Sequence, residues 1–380
     1  MANVVINDTN LVNIADAIRE KNGTEDTYKP SEMAEAILAI ESGGSGDIDP
    51  VVLTGDQSYG CCGELSAIVV QNFPNKITTN NIIKAEGMFL NSSLTNVPFE
   101  LNFISTGDGQ YANKMFKGSK IKRLPVMNNF KPVIVGNMFE DSEIETITDE
   151  DVENWDFTNL GYLSSSQAYL FSCARWLKTI STKFLNGLSY NKQYYYYPIY
   201  SSLFSHCNTL NEVIGLGVCD TTYTSNVFSY TFTECKHLKR LTFATQEDGS
   251  PYVVKWRNQT IDLSSYVGYG LTIYDANTYG LPLEAEVKRG STGTINPEVR
   301  ELYPDDWWTE NKLESRYNLA SAIETINSLP DASAYLSGTT YTNTIKFGGQ
   351  GSVNDGTYIG DMTAEQIAVA TTKGWTVVLS

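Results

Sequence analysis

A short pattern of apolar and small positions recurs six times between Met88 and Phe243. Each copy has a Phe, a small residue three places later and two aliphatic residues further along. The aromatic members are Phe89, Phe116, Phe139, Phe171, Phe204 and Phe232. Subtraction of these positions separates successive copies by 23 to 33 residues. This period predicts a solenoid, because one unit cannot bury its own apolar face and must stack on its neighbours.

The aliphatic positions divide the copies into two subtypes. They follow the Phe by five and eight places in the first three copies, and by six and nine places in the last three. In the later subtype the first aliphatic residues are Leu177, Leu210 and Leu238. The small residues are Ser92, Ser119, Ser142, Ala174, Cys207 and Cys235. We predict that these positions, together with the six Phe residues, form the core of the repeats.

The first 42 residues have a helical period. Apolar residues recur at spacings of three and four along two short segments, which predicts a helical hairpin over residues 10–41. Its apolar faces contain Leu11, Ile14, Ile18, Met33, Ile37 and Ile40. Two short helices bury too little surface to be stable alone. We therefore predict that the hairpin attaches to a partner or forms oligomers, and that the Gly/Ser-rich residues that follow it are a flexible linker.

The other end of the chain predicts a closing element. The pattern indicates a helix that stops before Pro330, a strand at residues 344–347, and a helix that Thr363 caps and Gly374 ends, followed by a last strand. A solenoid needs such an element to cover its final apolar face. The predicted divisions are an attachment module (1–42), a linker (43–49), an entry cap (50–86), a repeat solenoid with insertions (87–310) and a closing repeat and cap (311–380). The predicted fold class is α/β, with parallel strands in the solenoid.

The charge of the chain narrows the possible partners. The 380 residues have a formal net charge of −17 and no cluster of Lys or Arg. This charge repels phosphate backbones and anionic membranes, so we expect neither nucleic-acid nor membrane binding. No apolar run approaches the length of a membrane span, and the N-terminus does not resemble a secretory signal. We therefore expect synthesis in a cytoplasm without secretion.

The sequence offers little catalytic chemistry. Its only histidines are His206 and His237, both inside repeat copies, and the six Cys residues lack metal-ligand spacing. No phosphate-binding loop, zinc-protease motif or nucleophile elbow occurs. We expect a non-enzyme without cofactor or metal. Paired carboxylates leave a polysaccharide depolymerase as an alternative, because glycoside cleavage needs only two acids. The candidates are Asp305-Asp306, Glu140-Asp141 and the acidic run from Asp149 to Asp151.

Aromatic residues are the best candidates for receptor binding. Consecutive Tyr residues on a strand alternate between faces, so about half of a Tyr run should be exposed. Exposed aromatic patches mark binding sites, and aromatic rings stack on sugars. The candidates are Tyr190, Tyr194, Tyr195, Tyr196, Tyr197, Tyr200, Trp307 and Trp308. An interface between subunits, or packing on a neighbouring loop, would explain the same Tyr run.

The repeat resembles the BspA-like leucine-rich repeat, written M-F-x-x-C/S-x-x-L-x-x-I. The chain departs from it by Ser or Ala at the Cys position of the first four copies, and by Thr231 at the Met position of the sixth. The segment from Leu11 to Ile37 resembles an N-terminal module of tail-associated proteins in phages of Gram-positive bacteria. The segment from Met362 to Val377 resembles the C-terminal end of leucine-rich-repeat proteins encoded by the same phages.

The resemblance implies a non-catalytic component of a virion tail. In that case the solenoid binds a glycan or protein of the host surface, and the hairpin docks to tail or baseplate proteins. Tail fibres of this kind are commonly homotrimers, and the family supplies no catalytic residues. Three alternatives stay open at this point: a structural baseplate or tail protein without receptor binding, a depolymerase, and a cellular BspA-like surface adhesin. The absence of a secretion signal and of an anchor argues against the adhesin.

Overall fold

The computed structural model describes residues 16, 51–58, 76–104, 109–160, 168–188, 200–219, 226–264, 267, 317–348 and 358–379. Of the predicted hairpin, only Asp16 belongs to this part of the chain, where it is helical and exposed. The predicted attachment residues Leu11, Ile14, Ile18, Met33, Ile37 and Ile40 lie outside it. The predicted linker also lies outside the described residues.

Short strands dominate the described part of the chain. They are β1 (Val51–Asp56), β2 (Ile77–Lys84), β3 (Leu101–Asn102), β4 (Gln110–Tyr111), β5 (Met127–Asn128), β6 (Pro132–Ile134), β7 (Thr146–Ile147), β8 (Thr179–Ile180), β9 (Glu212–Leu216), β10 (Arg240–Phe243), β11 (Thr260–Leu263), β12 (Asn343–Phe347) and β13 (Trp375–Leu379). The α-helices are α1 (Thr182–Gly187), α2 (Leu319–Ser328), α3 (Ser333–Leu336) and α4 (Ala364–Thr372). Single 3₁₀ turns occupy Phe157–Asn159 and Ile359–Asp361.

The paired strands run parallel. The pairs are β1 with β2, β3 with β5, β4 with β6, β7 with β8 and β9 with β10, and β11, β12 and β13 form a three-stranded sheet. Parallel pairing requires the chain to cross over between neighbouring strands. The described fold is therefore a mixture of helices and short parallel strands, as the predicted α/β class requires.

Each copy of the sequence pattern forms a tight turn. We call the segment from four residues before the Phe to three residues after it a turn, and number the turns one to six along the chain. The residues two before and two after every Phe have φ between 53° and 64°. Two of these twelve positions are Gly, and the other ten hold side chains in the left-handed region that Gly adopts most easily. The same backbone path therefore forms six times.

Consecutive turns are joined by backbone hydrogen bonds at the same three positions. The N–H groups of the Phe and of the residues two before and two after it donate to carbonyl oxygens of the next turn. This holds for turns one to five, with N···O distances of 2.7–3.1 Å. Phe89, for example, donates to Met115, and Phe204 donates to Thr231. The turns thus stack in register, like strands in a parallel ladder.

The Phe rings form a continuous buried column along this stack. Neighbouring centroids are 5.2, 5.6, 5.2, 5.7 and 5.9 Å apart from Phe89 to Phe232, and the planes are within 24° of parallel. The residues assigned to the repeat core from the sequence are buried, namely Phe89, Phe116, Phe139, Phe171, Phe204, Phe232, Leu177, Leu210 and Leu238. Burial of large aromatic side chains at every step stabilises the stack through apolar area and ring contacts.

The C-terminal elements close the strand side of the last repeat. Helix α2 packs on β10, where the Ser328 hydroxyl accepts a hydrogen bond of 3.0 Å from the Phe243 N–H. The helix begins after Asn318, whose side chain accepts from the Ser321 N–H. The apolar pattern that predicts this helix includes Leu313, which lies outside the described residues, and Tyr317, which precedes the helix because Asn318 caps it. The predicted helix before Pro330 is thus present, starting at Leu319.

The last segment follows its predicted pattern. Thr363 and Gln366 form a capping box at the start of α4, and Gly374 has φ +83° just after it. Strand β13 then pairs with β12. Within the described residues, no helix has the length and apolar character needed to cross a bilayer.

Candidate functional site

The sixth turn is the last of the stacked turns within the described residues, and it differs from the other five in one respect. No hydrogen bond within the described residues engages the N–H groups of Tyr230, Phe232 and Glu234. The equivalent groups of the preceding turn, on Ser202, Phe204 and His206, all donate to carbonyl oxygens of turn six. The sixth turn therefore presents a row of three backbone donors, which we call the open edge.

A concavity lies against this edge. Its volume is about 440 Å³. Its lining residues are Asn226, Phe228, Ser229, Tyr230, Thr231, Phe232, Thr233, Thr260, Asp262 and Lys346. Because the fifth turn fills one side of the sixth, the concavity occupies the opposite side, toward which the donors point. The lining combines an aromatic ring, hydroxyls, a carboxylate and an ammonium group, as binding concavities commonly do.

Tyr230 is the most exposed aromatic residue of this concavity. It lies two residues before Phe232, has φ +58°, and leaves 72% of its surface exposed. Tyr169 holds the same position in the fourth turn with φ +60°, and 44% of its surface is exposed. The two residues share backbone geometry, but among the described turns only that of Tyr230 has N–H groups without a hydrogen-bond acceptor in the described residues. Tyr169 is therefore a natural control for Tyr230.

Buried amide side chains hold the two walls of the concavity together. The Asn226 Oδ1 accepts from the N–H groups of Phe228 and Thr260, which connects the sixth turn to β11. The Gln259 Oε1 accepts from the Val227 N–H at 2.8 Å. The Asn343 Oδ1 in turn accepts from the Gln259 N–H at 3.0 Å. Because these amides fix β11, β12 and the sixth turn relative to one another, the concavity is preformed.

Charged residues mark the rim of the concavity. The Lys346 ammonium lies 3.6 Å from the Asp262 carboxylate, and both side chains are more than 40% exposed. Asp262 also accepts hydrogen bonds from the Ser264 N–H and hydroxyl. Such a pair contributes little stability in water, so both groups can reorient toward a ligand.

The structure corrects the prediction for Tyr200. This residue was expected on an exposed receptor-binding surface, but its side chain is fully buried. Its hydroxyl donates to the Gly217 carbonyl at 2.7 Å and accepts from the Cys219 N–H at 3.0 Å. Burial raises the pKa of Tyr200 well above its usual value. Its ring stacks on Phe228 at 4.5 Å, so the residue belongs to the core.

The reason for this error is a core position that the repeat pattern omitted. Tyr200 stands four places before Phe204. The same place is apolar and buried in the other turns except turn four, where it holds Gln167, which lies outside the described residues. Its occupants are Ala85, Ala112, Val135, Tyr200 and Phe228. The apolar character of this position was visible in the sequence, whereas the open edge beside Tyr230 depends on where the stack ends.

The other predicted receptor-binding residues cannot be placed in this geometry. Tyr190, Tyr194, Tyr195, Tyr196, Tyr197, Trp307 and Trp308 lie outside the described residues, as do Asp305 and Asp306. They stay predictions.

The thiols of the repeats serve packing. The Cys207 and Cys235 thiols donate to the carbonyl oxygens of Phe171 and Phe204, each at 3.0 Å. Burial raises the pKa of both thiols, which disfavours the reactive thiolate. Burial likewise lowers the pKa of His206, although Glu234 opposes the shift. Among the described residues, no group of three His, Cys, Asp or Glu residues could hold a metal ion.

The described acidic candidates make local structural contacts. The Asp149 carboxylate accepts from the Ser181 hydroxyl, and the Asp151 carboxylate accepts from both the N–H and the hydroxyl of Thr148. Glu140 pairs with the Lys117 ammonium. These contacts stabilise local structure around Glu140, Asp149 and Asp151.

A smaller concavity lies near the second and third turns. Its volume is about 220 Å³, and its lining includes Arg123, Val126, Glu150 and Asp151. Its described lining contains no aromatic residue, and the turns beside it have their backbone donors occupied by the next turn. The concavity at the open edge is therefore the better candidate for a binding site.

Comparisons with known proteins leave the site to be interpreted from its own geometry. No protein-family model, no curated protein and no solved structure matches the chain.

Proposed function

We propose that this protein is a phage tail component that binds the bacterial host surface without catalysis, through a leucine-rich-repeat solenoid. The single observation that carries the binding role is the preformed concavity beside Tyr230, which places an exposed ring next to backbone donors. The ligand is a glycan or a protein of the host surface.

Two features support the solenoid. Five consecutive junctions between turns use the same three backbone hydrogen bonds. The Phe column passes through all six turns. Stacking of equivalent units along one axis is the defining property of repeat proteins, and it produces extended surfaces suited to binding.

The assignment to a virion tail is supported by the sequence resemblance at both ends of the chain. In this proposal the predicted hairpin of residues 10–41 docks to tail or baseplate proteins and promotes a homotrimer. The protein then resides in the virion tail, and the solenoid faces the host. The predicted aromatic residues Tyr190, Tyr194–Tyr197, Trp307 and Trp308 would extend the contact surface.

Binding to purified cell walls tests this function. Walls from a panel of Gram-positive bacteria are incubated with the full chain, and released reducing sugar is measured in parallel. The matched variants are Tyr230→Ala and Tyr169→Ala, which remove a Tyr from the same left-handed backbone position. We expect binding that is selective for strain and no release of sugar. Tyr230→Ala should weaken binding about tenfold, because loss of a hot-spot Tyr costs about 1–2 kcal/mol. Tyr169→Ala should leave binding unchanged.

Other outcomes favour other functions. Sugar release would indicate a depolymerase. Absence of binding across the panel would favour a structural tail part, and equal effects of the two variants would remove Tyr230 from the contact surface.

A further inference from the structure

We propose that the open edge of the sixth turn binds a polypeptide segment of the host surface, whose carbonyl oxygens accept from Tyr230, Phe232 and Glu234. This inference rests on the proposed function and names the class of ligand for the same site. In this inference, backbone N–H groups of the sixth turn recognise the peptide together with the side chain of Tyr230.

The junctions between turns show which kind of group binds to this row of donors. At each of the five junctions, the three equivalent N–H groups are occupied by carbonyl oxygens of a polypeptide chain. The acceptors for the fifth turn belong to Ser229, Thr231 and Thr233, which are alternate residues. Carbonyls of alternate residues point the same way in an extended strand, so a bound peptide can supply the same pattern.

The hydrogen-bonding character of the edge separates peptide from glycan. The carbonyls of Ser229, Thr231 and Thr233 accept from the fifth turn. Those of Tyr230 and Phe232 accept from N–H groups within the sixth turn. Each carbonyl oxygen of residues 229–233 therefore already accepts one backbone hydrogen bond, whereas the N–H groups of Tyr230 and Phe232 have no acceptor within the described residues. A peptide carbonyl is acceptor only and complements this row of donors, whereas a sugar hydroxyl that accepts here must also place its own O–H on another acceptor.

Unfilled backbone donors also make the edge a favourable place for an added chain. Buried N–H groups in folded proteins are nearly always hydrogen-bonded, and open edges recruit further strands. The exposed ring of Tyr230 and the charged pair of Asp262 and Lys346 flank the row. They can contact side chains of the bound segment and so select its sequence.

Two further variants, one blocking and one control, test the role of the main-chain donors. Thr233→Glu places a carboxylate next to the Phe232 N–H, where it competes with peptide carbonyls. Leu90→Glu is the matched control, because Leu90 holds the same position in the first turn, where the neighbouring donors are occupied by turn two. Circular dichroism and thermal unfolding of both variants establish that they fold.

The experiment uses walls of a strain that binds the full chain, in three portions. One portion is untreated, one is digested with a protease, and one is oxidised with periodate, which cleaves vicinal diols of sugars and leaves peptide bonds intact. We expect protease to abolish binding, periodate to preserve it, and Thr233→Glu, but not Leu90→Glu, to weaken binding to untreated walls at least about tenfold, on the scale of a lost hot spot.

Each other result is decisive. Binding that survives protease, or that periodate removes, would overturn the peptide assignment while leaving host binding in place. Sedimentation of the full chain tests whether a second copy of the chain occupies the open edge. An oligomer that Thr233→Glu dissociates and Leu90→Glu does not would overturn the inference. If no strain of the panel binds the full chain, the proposed function is refuted, and the inference with it.

Discussion

The Thr325 hydroxyl donates a hydrogen bond of 2.6 Å to the carbonyl oxygen of Leu241. Leu241 lies in β10 and Thr325 lies in α2. A helix side chain therefore satisfies a backbone carbonyl at the edge of the last described repeat strand. The Ser328 hydroxyl accepts a hydrogen bond from the N–H of Phe243 in the same strand. The hydroxyls of one helix therefore close the strand side of the stack. On the turn side, the three N–H groups of the sixth turn have no acceptor within the described residues, and the proposed binding site lies on that side.

The first prediction concerns closure by Thr325. This residue is fully buried, and Thr325→Val keeps the shape of the side chain while removing the donor to Leu241. We expect a loss of about 1–3 kcal/mol in the free energy of unfolding, the cost of leaving a buried carbonyl unsatisfied. Urea unfolding measures it. Thr339→Val is the control, because the Thr339 hydroxyl donates to Leu336 at an exposed site, and it should change stability by less than about 0.5 kcal/mol.

The second prediction concerns the Phe column. Phe139 is fully buried and stacks on Phe116 and Phe171. Phe139→Ala removes both contacts and leaves a cavity, so we expect it to lower the free energy of unfolding by about 3–5 kcal/mol. Val126→Ala changes a side chain that is 53% exposed, and should cost no more than about 0.5 kcal/mol. A loss at Phe139 as small as that at Val126 would mean that the column does not support the fold.

The third prediction concerns pH. Hydrogen bonds from Arg240 hold the pKa of Glu324 below its usual value, against the opposing effect of partial burial. A carboxyl whose pKa is lower in the folded state stabilises the protein above its unfolded pKa, near about 4.3, and loses that contribution as pH falls through the folded pKa. Both side chains are more than a third exposed, so screening limits the contribution to about 1 kcal/mol or less.

Glu324→Gln should therefore lower stability at neutral pH and flatten the pH dependence below about pH 4.3. Thermal unfolding from pH 3 to pH 7 measures both effects. Glu365→Gln, on the exposed side of α4, controls for the change in net charge. Parallel pH curves for the wild type and Glu324→Gln would contradict a stabilising role for the pair.

The fourth prediction concerns thiol reactivity. Cys207 and Cys235 are buried and their pKa values are raised, whereas Cys173 is half-buried at the edge of its turn. Since the thiolate is the reactive form, we expect iodoacetamide at pH 8 to alkylate Cys173 at least roughly tenfold faster than the two buried thiols in the folded protein. Peptide mass spectrometry assigns the labelled sites, and labelling in denaturant is the control. Equal rates in the folded state would contradict the stacked core.

The sequence predicts the repeat core well because the period is a direct consequence of burial. A Phe that recurs every 23 to 33 residues, followed by a small residue, has to face the stack. The closing helix and strand were predictable for a local reason: Thr363, Gln366 and Gly374 signal the ends of α4 by themselves. Local signals of this kind need no knowledge of tertiary structure.

The candidate site was not predictable in the same way. Tyr230 occupies the same register position as Tyr169, and nothing in the local sequence separates the two. The difference arises because turn four is followed by another turn, whereas no further turn stacks on turn six in the part of the chain that the structure describes. This is a property of the assembled stack. Tyr200 was misassigned for a different reason: the repeat pattern omitted the buried position four places before the Phe, where the Tyr200 ring packs against Phe228 and Trp256.

The most direct test of the account is amide-resolved hydrogen exchange on the full chain, free and bound to protease-sensitive host walls or to material extracted from them. In the free protein, the amides of Tyr230, Phe232 and Glu234 should exchange roughly as fast as solvent-exposed amides, whereas their counterparts Ser202, Phe204 and His206 should be protected. Binding should slow exchange at the three open-edge amides. Strong protection of these amides in the free chain, or exchange that binding leaves unchanged, would contradict the assignment of the open edge as the host-binding site.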